Sequence, residues 1–539
     1  MNTAQALIKS LEDHGIKYLF GVPGEENLDV LEALKGSSIE FTLTRHEQAA
    51  AFIAATIGRL TGVPAVALST LGPGATNLMT GVAYAQLGAM PLILLTGQKP
   101  IRHSKQGEFQ LLDVVDMMTP ITKYSKTLVE GSLVPAHVRE MVRLATEERP
   151  GAVHLELPED IAGEEINYQP LPSSNVRRPV ADKASITRVV ELIKSAKKPI
   201  IIVGSGANRK RTSKQLTKFV QRYGIPFVPT QMGKGVISED LPQYAGSAAL
   251  SSDDFVHDTI NQADLVINIG HDMVEKPPFI MTGRREVVHI NFDSAEVGSI
   301  YYPQTEVVGD IANAIWRISE GLEDADLSQL DTQFHMPART QLEQTFDKQL
   351  KAATTLTPQQ LVTTTRKVLP NDGIVALDNG MYKIWFARHF TAREENTLLL
   401  DNALATMGAG LPSAMGAKVV YPDRKVIAVC GDGGFMMGSQ ELETAVRMKL
   451  DLVVVILNDA CYQMIRWKQE RMQMDEWGLE FGNPDFKKLA ESFGAHGHTA
   501  RSIEEYEQML SEALAAGGVH VIDTAIDYEH SLRDLEERG

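Results

Sequence analysis

At 539 residues the chain is longer than one hydrophobic core usually serves, so about three domains are expected. Its content of 43% hydrophobic and 22% charged residues is that of an ordinary globular protein, which excludes a disordered or fibrous chain. A formal charge of −17 argues against nucleic acid or an anionic membrane as main partner, and no run of about 20 apolar residues could span a bilayer.

The opening segment "MNTAQALIKSLEDHGIKYLFGVPG" carries Glu12 and Asp13 among periodic apolar residues, which suits a first helix and not a signal or transit peptide. "YLFGVPG" predicts strand then turn, "TRHEQAAAFIAATIGRLTG" an amphipathic helix, and "PAVALSTLGPGATNLMTGVAYAQLGAMPLILLTG" strand, glycine turn, helix and strand. These elements form a first domain over 1–167, and the Pro- and Ser-rich "YQPLPSSNVRRPVADKA" is a linker. A middle domain over 185–318 has strands in "KPIIIVGSGAN", "ADLVINIG" and "EVVHINFD". A third, over 356–539, carries "DGIVALDNG", "ATMGAGLP", "KVIAVCGDGGFMMGSQELETAVRMKLDLVVVILNDACYQMI" and a short closing strand in "GVHVIDTAID". The fold class is α/β, three doubly wound domains with mainly parallel sheets. The first and third domains share a grammar of strand, glycine turn, helix and strand, which duplication or ordinary parallel-sheet logic would both produce.

Cys430 and Cys461 are the only cysteines, so no disulfide framework exists and a reducing, cytoplasmic setting is expected. Both read as small buried residues at strand ends. The middle domain's "VGSGANRK" has Arg209 where a dinucleotide fingerprint has its third glycine, so a tight turn without a ligand is the preferred reading. No P-loop, zinc spacing or nucleophile elbow is present.

The strongest signal is the βαβ unit whose strands each end on a carboxylate, Asp432 in "GDGG" and Asp459 in "LND". Parallel strands place both at the carboxyl edge of the sheet, where α/β domains bind ligands. Oxygen donors without sulfur suit a hard cation such as Mg²⁺, which prefers one or two carboxylates plus phosphate oxygens. Glycines and a following helix would let a diphosphate approach backbone N–H groups. The bland alternative is an Asp-Gly turn plus an Asp helix cap.

"GDGG…LND" resembles the signature of thiamine-diphosphate enzymes, and "GDGGF", "ELETAVR" and "DFKKLAESFGA" resemble the catabolic acetolactate synthase and acetohydroxyacid synthase large-subunit family over essentially the whole chain. The resemblance implies aminopyrimidine-binding, central and diphosphate-binding domains, with thiamine diphosphate and Mg²⁺ as cofactors. Asp432, Asp459 and the Cys461 carbonyl would hold the metal. Gly431, Gly433, Gly434, Gly380 and Met381 would line the diphosphate or pyrimidine, and Met407 would prop the bent cofactor. Glu47 in "RHEQ" would share a proton with the aminopyrimidine ring, reaching a cofactor held by the other subunit of a homodimer or homotetramer. Phe109 and Gln110 in "GEFQLLD" would stand beside the reacting centre, with Met464 and Trp467 in the acceptor pocket. FAD, bound by biosynthetic relatives, is disfavoured here.

The implied reaction joins two pyruvates into 2-acetolactate with loss of CO₂; acceptor choice between pyruvate and 2-ketobutyrate stays open. The alternatives are a thiamine-dependent 2-keto-acid decarboxylase or aldehyde ligase, or a non-catalytic nucleotide-binding regulatory protein. Glu25 and Glu26 in "GVPGEEN" replace small residues usual in the family. A carboxylate facing a keto acid would repel it, so the pair is expected to turn away or to mark another acceptor.

Overall fold

The computed structural model describes residues 1–539 except 103–106, 175–176, 251–253, 276–284, 297, 354, 530, 533–539 and the side chain at 352. Strands β1 Tyr18–Gly21, β2 Glu40–Leu43, β3 Ala65–Ser69, β4 Leu92–Gln98, β5 Ser125–Thr127 and β6 Ala152–Pro158 form one parallel sheet in the order β2-β1-β3-β4-β6-β5. A second parallel sheet takes β7 Pro199–Val203, β8 Phe227–Pro229, β9 Leu265–Ile269, β10 Glu286–Asn291 and β11 Thr305–Val308 in the order β11-β10-β9-β7-β8. The third holds β12 Ile374–Leu377, β13 Leu398–Leu399, β14 Val426–Gly431, β15 Leu452–Asn458, β16 His496–Ala500 and β17 Val519–Ala525, ordered β13-β12-β14-β15-β17-β16.

Numbered within each domain, the first and third sheets have the same strand order, 2-1-3-4-6-5. That identity goes beyond shared local grammar and favours duplication over coincidence. Helices cover both faces of these sheets, which is why β3, β4, β6 and β14 are almost wholly buried and read as continuous apolar runs. The closing segment lies inside its sheet, as β17 between β15 and β16. The crossover after β14 is two short helices, Asp432–Met436 and Glu441–Arg447, where a single helix was expected.

The Glu47–Thr61 helix departs from its amphipathic reading. Every residue from Ala49 to Gly58 is buried. One face meets its own sheet and the Pro73–Leu87 helix; the other receives the Gly410–Val420 helix of the third domain. Small residues permit this: a Cβ on Gly81 would lie 2.4 Å from the Ala51 Cβ, and one on Gly416 would lie 2.8 Å from the Ile53 carbonyl. Phe52, with no exposed surface, meets Tyr84 edge-on at 5.1 Å and contributes about 2–3 kcal/mol by burial. One apolar cluster therefore runs through both domains and fixes their sites relative to each other.

The central domain is tied in by charge. Arg149 pairs with Asp272 at 2.6 Å, Arg209 with Glu148 at 3.0 Å, and Arg388 with Asp254 at 2.9 Å.

Candidate active site

β14 ends at Gly431, and Asp432 opens the next helix, 2% exposed. Its Oδ1 accepts the Gly433 N–H at 2.7 Å. Its Oδ2 accepts Asp459 N–H at 3.2 Å, Ala460 N–H at 2.7 Å and the Asn483 side-chain amide at 2.7 Å. The register of β14 on β15 places Gly431 opposite Leu457, so both acidic turns emerge at one edge.

Asp459 Oδ2 is buried and has no hydrogen-bond partner. Burial first, then the nearby Asp432 charge, pushes its carboxyl up to about 7. A buried carboxylate beside a half-buried one with an orphaned oxygen, where the charge of Arg466 does not offset burial and mutual repulsion, forms an incomplete set of hard donors. The Cys461 carbonyl lies two residues on. Among the described residues no cluster of three His, Cys, Asp or Glu side chains could hold a metal, so a cation here would take two carboxylates and complete its shell with carbonyl, phosphate or water oxygens. That donor set fits Mg²⁺.

Asn483 escaped the sequence reading. Residues 460–462 run antiparallel to 479–481, through Phe481 N–H to the Ala460 carbonyl and Tyr462 N–H to the Leu479 carbonyl. This closure returns the chain to the metal turn and delivers Asn483, which also donates to Asn458 Oδ1 at 2.9 Å. Asn458 in turn donates to Asp523 on β17.

The "LDNGMY" turn after β12 braces the same edge. Asp378, fully buried and pushed up to about 6 by burial, accepts N–H groups from Asn379, Gly408 and Gly410. It thereby holds the turn after Met407, where Gly408 has φ +86°. Gly431 donates its N–H to the Tyr382 hydroxyl at 3.0 Å. The glycines of "GDGG" also answer a packing demand: a Cβ on Gly433 would strike the Tyr462 ring at 2.7 Å, and one on Gly434 would press on Asp378 at 3.1 Å. Met381 is buried in the core, and a Cβ on Gly380 would strike the Tyr382 ring.

In the first domain Glu47 is the first residue of its helix and 8% exposed; its Oε2 accepts the Asn77 amide at 3.0 Å. Asn77, early in the Pro73–Leu87 helix, was also missed. The helix start touches the third domain of the same chain: Arg45 donates its backbone N–H to Glu441, and the Gln48 amide lies 3.7 Å from where a Gly408 Cβ would be. Gln110 has φ +58°, and its carbonyl crowds Gly72, while Phe109 is 65% exposed.

Glu25 and Glu26 part company. Glu25 points out, whereas Glu26 is buried against Lys99 at 2.7 Å and accepts the Thr70 hydroxyl. Burial alone would raise Glu26, but the Lys99 and Thr70 bonds outweigh it and hold the carboxyl below its ordinary range. Glu25 stays exposed, with only a long approach to Lys99 at 3.9 Å.

A cavity of about 630 Å³ opens beside Asp459, lined by Gln463, Arg466, Met474, Glu476 and Tyr528. Met464 and Trp467 of the Gln463–Arg471 helix are partly buried and pack against the cluster containing Trp385 and Tyr528. Cys430 and Cys461 are both free and buried.

Comparison with known proteins gives this geometry its class. Residues 1–117 match the model of the thiamine pyrophosphate enzyme N-terminal TPP binding domain, 186–318 that of its central domain, and 378–524 that of its C-terminal TPP binding domain. The chain belongs to the thiamine pyrophosphate enzyme family. Within it, the chain is of the acetolactate synthase type. It is 33% identical to the acetolactate synthase of Bacillus subtilis (strain 168), over 98% of this chain and 94% of that one. It is 32% identical to the catabolic acetolactate synthase of Raoultella terrigena, over 97% and 95%, and 32% identical to a probable acetolactate synthase large subunit of Methanococcus aeolicus, over 99% and 93%.

Proposed function

We propose that this enzyme joins two pyruvates into 2-acetolactate and releases CO₂, using thiamine diphosphate held by Mg²⁺. The observation that carries the reading is the Asp432–Asp459 pair with its buried, orphaned oxygen, at the sheet edge of a chain from this family. In this reading 1–167, 185–318 and 356–539 act as aminopyrimidine-binding, central and diphosphate-binding domains.

Bound thiamine diphosphate supplies a nucleophilic carbon and an electron sink for decarboxylation. The chain supplies position and protons. Asp432, Asp459 and the Cys461 carbonyl hold the cation, and Asn483 and two backbone N–H groups fix Asp432 for that task. The turns at Gly380 and Gly431–Gly434 line the diphosphate. Met407, on a turn tied to Asp378, would pack against the bound cofactor.

Glu47 holds a proton at the aminopyrimidine ring nitrogen, its carboxyl oriented by Asn77. Gln110 offers a neutral amide that orients a keto group without an easily transferred proton, and Phe109 shields it. Keeping acids away from that point favours attack on a second carbonyl over protonation to an aldehyde.

The enzyme acts as a homo-oligomer with its sites at a dimer interface. Phe109, Leu112, Met436 and Met437 are exposed large apolar residues flanking the two halves of the site, and a second copy would cover them. Among the described residues no helix is long and apolar enough to cross a membrane. Two free cysteines and an acidic chain support a cytoplasmic setting without a nucleic-acid partner. Product analysis after incubation with pyruvate, thiamine diphosphate and Mg²⁺ tests the reaction.

A further inference from the structure

The central sheet, in the order β8-β7-β9-β10-β11, has its topological switch point between β7 and β9, where such sheets open a crevice for a nucleotide. The turn after β7, "GSGAN", is the phosphate seat of such a crevice, and FAD is the dinucleotide that the family implies. The residues present do not fit it. We infer that Glu275 seals this crevice, its carboxylate standing where a dinucleotide phosphate would bind.

Glu275 follows β9 and is 2% exposed. Its Oε2 accepts Ser205 N–H at 3.1 Å and the Thr230 hydroxyl at 3.0 Å; its Oε1 accepts Met232 N–H at 3.1 Å. These donors come from the ends of β7 and β8 and converge on one anion, as donors around a phosphate do.

The rest of the turn is spent internally. Gly206 N–H bonds the Gly270 carbonyl at 2.8 Å, Ala207 N–H the Gly204 carbonyl, and Asn208 N–H the Ser205 carbonyl. The two loops are also pressed together, since a Cβ on Gly204 would lie 2.4 Å from the Gly270 carbonyl oxygen. A phosphate would meet a buried negative charge and a turn with no donor to spare. Burial pushes the Glu275 carboxyl up to about 7, against the lowering pull of its bonds from Thr230, Ser205 and Met232.

Beside the turn lie two cavities, one of about 260 Å³ lined by Arg149, Arg209, His271 and Asn291 and one of about 250 Å³ lined by Ser205, Asn208, Arg211 and Asp310. Each is below the roughly 300–1,000 Å³ of sites for drug-sized ligands, and a dinucleotide is larger still. Arg149, Arg209 and Arg211 are engaged, with Asp272, Glu148 and Asp310.

The test is calorimetric titration of the purified full-length protein with FAD and with ADP, for wild type and Glu275→Ala, alongside thermal melting. Wild type should take up neither ligand. Removing the carboxylate frees three donors and the charge, so the variant should bind ADP at least about a hundredfold more tightly than wild type. ADP should raise its melting temperature and leave that of wild type unchanged. Micromolar binding of FAD or ADP by wild type overturns the inference, as does a folded Glu275→Ala protein that ignores ADP. If Glu275→Ala does not fold, the wild-type titration alone decides.

Discussion

Asn483 donates its side-chain amide to Asp432 Oδ2 at 2.7 Å across 51 positions of sequence. That bond joins the metal turn to the segment closing the Gln463–Arg471 excursion, so the orientation of the first carboxylate depends on a residue outside the βαβ unit that carries it. Replacing Asn483 with Ala should leave the fold intact and weaken Mg²⁺-dependent binding of thiamine diphosphate by about 10–100-fold, the usual cost of losing a residue that orients a metal ligand. Cofactor titrations at fixed Mg²⁺ check this, and an unchanged isotherm would assign Asn483 to packing alone.

Asp459→Asn should have opposite effects on the metal-free and metal-bound protein. The Asp459 carboxyl is raised to about 7, above its ordinary value, so ionising it costs stability. The cost is absent near pH 4, grows as pH rises toward 7 and is complete above that. The amide removes it, so with EDTA present the variant should melt higher than wild type at pH 8 and match it near pH 4. Mg²⁺ affinity should fall at least about tenfold, because one charged ligand is gone. A variant that melts lower than wild type at pH 8 in EDTA would contradict the buried repulsion.

Glu47→Gln keeps an oxygen for Asn77 to bond, so the first domain should fold normally. Cofactor affinity should stay within a few-fold, while turnover falls by about 100-fold or more, as for loss of a group that holds a proton in catalysis. Steady-state rates with calorimetric cofactor binding separate the two. Full turnover in the variant would remove Glu47 from the mechanism.

Lys99→Met strands the Glu26 carboxylate in a buried position and should cost about 3 kcal/mol at pH 7. Glu26 lies below its ordinary value when folded, so its stabilising contribution is present above pH 4.5 and is lost as pH falls through the folded value. The gap between wild type and variant should therefore close in acid. The double substitution Glu26→Gln with Lys99→Met should recover much of the loss, and denaturant melts at pH 7 and pH 4 measure both effects.

Much of this was legible because parallel sheets write their ligands at strand ends. Asp432 and Asp459 each follow an apolar run, and strand polarity alone brings them to one edge. What failed to show depended on long-range closure. Asn483 reaches Asp432 only because 460–462 pairs with 479–481, and nothing in "GNPDF" signals that. Lys99 and Glu26 belong to different strand ends, so the sequence displayed two like charges and hid the cation between β1 and β4. The Glu47–Thr61 helix was expected to be amphipathic, and its small residues instead admit a tightly packed helix on each side. Met464 and Trp467 were expected in the acceptor pocket; both are partly buried against the neighbouring core cluster, while Gln463 and Arg466 of the same helix line the cavity beside Asp459.

The central claim is the ligation of two pyruvates at the Asp432–Asp459 site. The most direct measurement incubates the purified protein with pyruvate, thiamine diphosphate and Mg²⁺ and identifies the product by NMR. 2-Acetolactate, formed only with both cofactors present, is the predicted result. Acetaldehyde as the sole product, or acetolactate formed equally well in EDTA, would contradict it.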